Sequence, residues 1–204
     1  MGTPVYYRGV EATTEDKRVR RSRAALVEAA IRLVTERETA AISVTELTDA
    51  ADVSRKLLYQ HFGDRDALLV AATVDFTERA LSDVGAEDPV ERMVALTRHL
   101  AEHRAYYRAI FSGPCAFAAS EALKDLFSDL NRSSVGALFG DLDRAALDDM
   151  RLFFAAGVQA IVRSWITSPR SPADPDELDD RLRRVATIFA ESINRSATSH
   201  QESS

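Results

Sequence analysis

The sequence predicts an all-α protein, and three observations carry that prediction. Apolar residues recur at helical rather than alternating spacing along most of the chain. Gly and Pro are scarce, eight and six in 204 residues, so few breaks interrupt the helices. Where breaks do occur, N-cap residues restart a helix just beyond them. A composition of 46% hydrophobic and 28% charged residues is that of a globular domain. No apolar run reaches the length of a membrane span.

Residues 1–16 carry no apolar stripe and no secretory-signal core, and are expected to form a flexible arm. A basic cluster follows: Lys17, Arg18, Arg20, Arg21 and Arg23. Leu26, Ala29, Ala30, Leu33 and Val34 then recur at i, i+3, i+4, i+7 and i+8, one face of a first helix. Ser43 with Glu46 has the form of a capping box, in which the Ser side chain accepts from a free backbone N–H and the Glu reaches back. Leu47, Ala50 and Ala51 give this second helix its apolar face. Asp52-Val53 makes a tight turn, and Ser54 is a second N-cap whose helix opens with Arg55 and Lys56. Two short capped helices about a tight turn, the second exposing two cations, fit a helix-turn-helix whose second helix enters the DNA major groove. Asp64 is placed to cap a long fourth helix running to about Val84.

At this point the chain resembles the TetR family of transcriptional regulators. The matching residues are Ala29-Ala30, Ser43, Leu47, Ala51, Val53-Ser54, Leu58-Tyr59, His61-Phe62, Arg65 and Leu68-Leu69, all within residues 18–72. The resemblance implies a helix-turn-helix DNA-binding domain at 17–63 and a connecting helix at 64–86. A helical effector-binding and dimerisation domain at 87–196 would bring the chain to about nine helices, and the polar residues 197–204 are expected to form a disordered tail. Three positions depart from the family: Glu38, Asp52 and Lys56 stand where Gly is frequent. Asp52 lies in the turn, where a positive φ is expected; Asp tolerates it better than most residues but less well than Gly. Lys56 and Leu57 replace small residues usual at the start of the recognition helix, so the base preference does not transfer by analogy.

Beyond the module, Asp88-Pro89-Val90-Glu91 is a helix start with an Asp cap and Pro at the first position. Val90, Met93, Val94, Leu96 and Leu100 continue it, and one helix is expected to about Ile110 before Ser112-Gly113-Pro114 breaks the chain. Leu123, Leu126, Phe127, Leu130 and Leu138 mark a helix over 116–138, with Gly136 and Gly140 near its end. Met150, Phe153, Phe154, Val158, Ile161 and Trp165 mark another over 148–167. After the break at 168–172, Asp174-Pro175-Asp176-Glu177 restarts with cap, Pro and first-turn acids, and Leu178, Leu182, Val185, Phe189 and Ile193 form one stripe.

Charge is divided along the chain. The net charge is −6, yet residues 17–62 hold nine Lys/Arg against six Asp/Glu, a surplus of three that leaves −9 elsewhere. A basic module on an acidic body suits nucleic acid, because binding follows the local patch. The single Cys115 excludes an intrachain disulfide and fits a reducing cytoplasm.

Candidate DNA contacts follow. Arg55 and Lys56 are suited to base edges, Gln60 to an adenine and Leu57 to a thymine methyl. Ser43, Val44 and Thr45 lie at a helix N-terminus, whose free N–H groups suit a phosphate, and Ser54 occupies the same place on the recognition helix. The resemblance assigns Tyr59, His61 and Arg65 to phosphates. The basic cluster is placed for the minor groove or the backbone. Plainer readings stand beside these: a solvated face for Arg55 and Lys56, a largely core Tyr59, a soluble tail for the basic cluster. Leu58 and Phe62 are assigned to core.

The resemblance also implies a small-molecule cavity in the body. Candidate lining residues are Met93, Leu96, Phe111, Cys115, Phe117, Phe127, Phe154, Val158 and Trp165, with Gln159 and Arg163 for polar contacts; the plainer reading of each is core. An apolar lining would take an apolar effector. The last two long stripes, 150–166 and 178–193, would pair with their mates in a homodimer, and the whole would be a repressor released from a palindromic operator. A rival class, a metallohydrolase or a helical protein binding a regulatory metal, rests on His99-Leu-Ala-Glu102-His103, an H-x-x-E-H pattern used by inverted zinc peptidases, with no third ligand in view. No glycine phosphate loop, dinucleotide fingerprint or nucleophile elbow is present, so no enzyme activity, cofactor or metal is assigned.

Overall fold

The computed structural model describes residues 8–82, 89–130, 143–169 and 174–201. Among the described residues there are nine helices and no strand. They are α1 (Arg8–Arg37), α2 (Val44–Ala51), α3 (Arg55–Phe62), α4 (Arg65–Ser82), α5 (Pro89–Glu102), α6 (Arg104–Phe111), α7 (Ala116–Leu130), α8 (Arg144–Thr167) and α9 (Pro175–Gln201).

The short helices are set by their caps. Ser43 and Glu46 form the complete capping box: Ser43 Oγ accepts from the Glu46 N–H at 3.2 Å, and the Ser43 N–H donates to Glu46 Oε2 at 2.8 Å. Ser54 Oγ accepts from Leu57 N–H, and Asp64 Oδ1 accepts from Ala67 N–H at 2.8 Å to start α4. Between α2 and α3, Asp52 adopts the left-handed conformation, φ 51° and ψ 48°, as its place in the turn requires. Glu38, at the end of α1, does the same with φ 50°. Both are positions where the resembled family favours Gly. Lys56, the third such position, lies inside α3, where a side chain costs nothing.

The first four helices close over Leu26, Ala30, Val34, Leu47, Leu58, Leu68 and Leu69, all buried. This core continues into the body through Ala72, Tyr106, Tyr107, Leu123, Phe127 and Trp165 without a gap. Helix α4 packs on α1 and α3 at one end and on α5, α6 and α7 at the other, while α8 packs on α6, α7 and α9.

Several expected boundaries move. The stretch expected as an arm is helical from Arg8, and α9 extends to Gln201, inside the expected tail. The single helix expected to Ile110 is broken at His103, φ −110° and ψ 26°, into α5 and α6. No Gly or Pro marks that break; it reorients α6 so that Tyr106 and Tyr107 both enter the core. Helix α8 starts at Arg144, earlier than expected, because Asp143 caps it by accepting from Ala146 N–H at 2.9 Å. The Asp88 cap, Val84 and residues 131–138 lie outside the described residues.

Candidate nucleic-acid interface and effector body

Helix α3 is divided by burial. Leu58 is fully buried and Phe62 packs partly against the core, which fixes the helix on α1 and α4. The opposite face carries Arg55, Lys56, Tyr59 and Gln60, all exposed. Tyr59 is 52% exposed, so its ring is offered to solvent and not absorbed into the core. Leu57, His61 and Arg65 are half-buried at the margin. The first turn of α2 brings Ser43, Val44 and Thr45 beside this face: the Arg55 guanidinium donates to Thr45 Oγ1 at 2.6 Å. The first turns of α2 and α3 are thereby braced on each other.

Three bracing contacts are absent from the sequence reading. Ser22 of α1 donates to the Val19 carbonyl at 3.0 Å, and its oxygen lies 2.8 Å from His61 Nε2. With the hydroxyl proton committed to Val19, that contact makes His61 Nε2 the donor. The Arg23 guanidinium lies 5.2 Å from the centroid of the Phe62 ring. The Arg65 guanidinium holds Asp66 Oδ1 through both Nε (2.8 Å) and Nη2 (2.6 Å), so it reaches the surface already paired. Only the i, i+1 spacing of Arg65 and Asp66 was visible in the sequence; the other two join residues far apart in the chain.

In the body, Leu96, Phe111, Cys115, Phe127 and Trp165 are buried, and Met93, Phe154 and Val158 half-buried. Phe117 departs from this set. It is 76% exposed on the first turn of α7 and lines no interior. The H-x-x-E-H residues do not converge on a metal site. His99 is buried with Nε2 2.8 Å from Tyr107 Oη, whereas Glu102 is exposed. Among the described residues no three His, Cys, Asp or Glu side chains are grouped to hold a metal.

The pair instead belongs to a buried network. Thr77 donates to the Thr73 carbonyl at 2.9 Å, so Thr77 Oγ1, 2.8 Å from Tyr107 Oη, accepts from that phenol, which in turn accepts from His99 Nε2–H. Thr73 donates to the Leu69 carbonyl, and Tyr106 donates to Thr73 across 3.0 Å. Phe76 packs edge-on against His99 and Tyr106 and tilted against His103. Burial pushes both phenols well above their ordinary range. Burial, reinforced by neighbouring His103, lowers His99 to about 4, so it is neutral at pH 7.

A capped helix-turn-helix whose core runs on into an all-helical body defines a class of helix-turn-helix proteins. Residues 26–72 match the family described as "Bacterial regulatory proteins, tetR family". The chain is 33% identical over 81 residues to the HTH-type transcriptional regulator BetI of Rhizobium meliloti (strain 1021). That alignment covers 37% of this chain and 40% of the relative. Its fold is similar to that of a TetR transcriptional regulator from Rhodococcus sp. RHA1, with TM-score 0.59 and 22% identity over 83% of this chain and 96% of the other. It is similar to the same degree, TM-score 0.59 and 22% identity, to RolR in complex with its ligand resorcinol, over 88% of this chain and 96% of that one.

Proposed function

We propose that the protein is a cytoplasmic, homodimeric, sequence-specific DNA-binding regulator of transcription: a repressor released from a palindromic operator by a small, mainly apolar effector. The observation that carries the DNA reading is the divided α3, anchored by Leu58 and exposing Arg55, Lys56, Tyr59 and Gln60 together. Arg55, Lys56, Leu57 and Gln60 read base edges; Ser43, Val44, Thr45, Ser54, Tyr59, His61 and Arg65 position the backbone. The exposed Leu152, Phe153 and Ile188 on α8 and α9, each more than half exposed in the single chain, support a dimer through those helices. The buried apolar side chains of α5 to α8 support an effector of matching character, and RolR, of similar fold, was solved in complex with the ligand resorcinol.

Selection of random duplex DNA by the purified protein tests this directly. A two-fold symmetric motif is expected; recovery of sequence-independent, salt-sensitive binding alone would refute the reading. On the selected duplex, Tyr59→Ala or Arg65→Ala should weaken binding to all sequences alike, while Arg55→Ala should lose about 1–3 kcal/mol and relax preference at one base pair. Equal loss of specificity from all three would show that the contacts are wrongly sorted.

A further inference from the structure

A groove of about 300 Å³ lies where the DNA module meets the body, lined by Glu38, Arg104, Ala105, Arg108, Ala109 and Ser112. It contains none of the residues considered above for an interior effector. One wall is the end of α1 at Glu38; the other is the face of α6 on which Arg104, Arg108 and Ser112 follow at i, i+4 and i+8. Ala105 and Ala109 are the small side chains between them.

The two arginines differ. Arg104 is held in place: its Nη2 donates to the carbonyls of Trp165 and Ser168 at the end of α8, and its guanidinium lies 5.7 Å from the Trp165 ring centroid. Its buried Nε has no partner. Arg108 is exposed, and among the described residues neither its side chain nor that of Glu38 has an ion-pair or hydrogen-bond partner. The groove thus offers one immobilised guanidinium, one free guanidinium and a hydroxyl, against a single carboxylate. Fixed and free forked donors at one site suit the planar or tetrahedral oxygens of a small oxyanion.

The walls are also tightly apposed nearby. A Cβ added at Gly113, which follows α6, would lie 2.7 Å from Ala40 Cβ, two residues after Glu38. An occupant of the groove therefore touches module and body at once, on the outside of the α1–α6 contact.

We propose that this groove is a second ligand site, for a small oxyanion (a carboxylate or a phosphate), with Arg108 as its principal donor and Glu38 as the group that limits its affinity. Binding at the site stands independently of the proposed DNA function. The test is thermal unfolding of the full chain titrated with sodium phosphate and, separately, sodium acetate, each at ionic strength matched with sodium chloride. A saturable rise in Tm is expected for at least one anion. Arg108→Ala should weaken it roughly tenfold or more, and Glu38→Gln should tighten it several-fold. Phosphate active with acetate silent assigns the site to phosphates, and the reverse to carboxylates. No saturable rise, or a rise that survives Arg108→Ala unchanged, overturns the site.

Discussion

The DNA module and the body are one continuous core, yet they solve the problem of burying polar groups in opposite ways. In the module the polar groups are local and mostly solvent-facing: caps, a capping box and surface ion pairs, while the buried Thr48 hydroxyl donates to the carbonyls of its own helix. In the body, polar side chains are placed deep, and Tyr106, Tyr107, Thr73, Thr77 and His99 satisfy one another through an ordered chain of donors. A surface cap replaced by water loses little, whereas a buried donor chain fails when one member is removed. The difference places the module's specificity in exposed residues and makes α4, which supplies both threonines, the element through which the body's packing reaches the module.

The largest effect expected from this contrast is at Tyr107. Tyr107→Phe keeps the ring and removes the oxygen that serves both Thr77 and His99, leaving the buried His99 Nε2–H without its acceptor while Thr77 keeps its bond to the Thr73 carbonyl. It should destabilise the protein by about 1–3 kcal/mol in chemical denaturation. Ser54→Ala, which removes one exposed cap, should cost about 1 kcal/mol or less. If the two variants lost equal stability, the contrast between regions would be broken.

A smaller effect of opposite sign is expected at the two strained positions of the module. Glu38 and Asp52 hold left-handed backbone at a cost that Gly does not incur, offset partly by the greater chain entropy of Gly. Asp52→Gly should raise stability by about 0.5–1 kcal/mol, and Glu38→Gly by a similar amount. The Asp52 change lies between α2 and α3, so its duplex affinity also reports whether that strain is used to aim α3. Unchanged affinity with raised stability would make the Asp a tolerated departure.

These same residues show what the sequence makes legible. Asp52, the capping box, Ser54 and Asp64 could be read because each acts on backbone within three or four residues of itself, so spacing alone defines its role. The break at His103 could not, because nothing local causes it; the burial of Tyr106 and Tyr107 does. His99 and His103 share a helix face whether they bind a metal or pack on Phe76, and i, i+4 spacing does not distinguish the two. Phe117 joined the interior candidates by hydrophobicity alone, although it lies in a turn-proximal first helical turn that faces solvent. Ser22 with His61, and Thr45 with Arg55, needed the tertiary arrangement of α1, α2 and α3.

The most delicate separation of the two regions is by pH. His99 is held neutral in the native body with its pKa lowered to about 4, against 6.5 in the unfolded chain. Between those values the unfolded state binds the extra proton, so native stability falls as pH drops from about 6.5 towards 4. Glu46 is lowered to about 2 by the Ser43 side chain, the Ser43 N–H and Arg37. Its contribution is complete above its unfolded value of 4.5 and is lost as pH falls from there through about 2. The body should therefore weaken in the upper window and the end of α1 and start of α2 in the lower one. Hydrogen exchange followed along the chain at pH 7, 5 and 3 reads both. Loss of protection around α5 and α6 should precede loss around α2. His99→Phe should flatten the upper step and Glu46→Gln the lower, each without touching the other; a single step removed by either variant would mean that the regions unfold as one unit and that their polar groups are coupled.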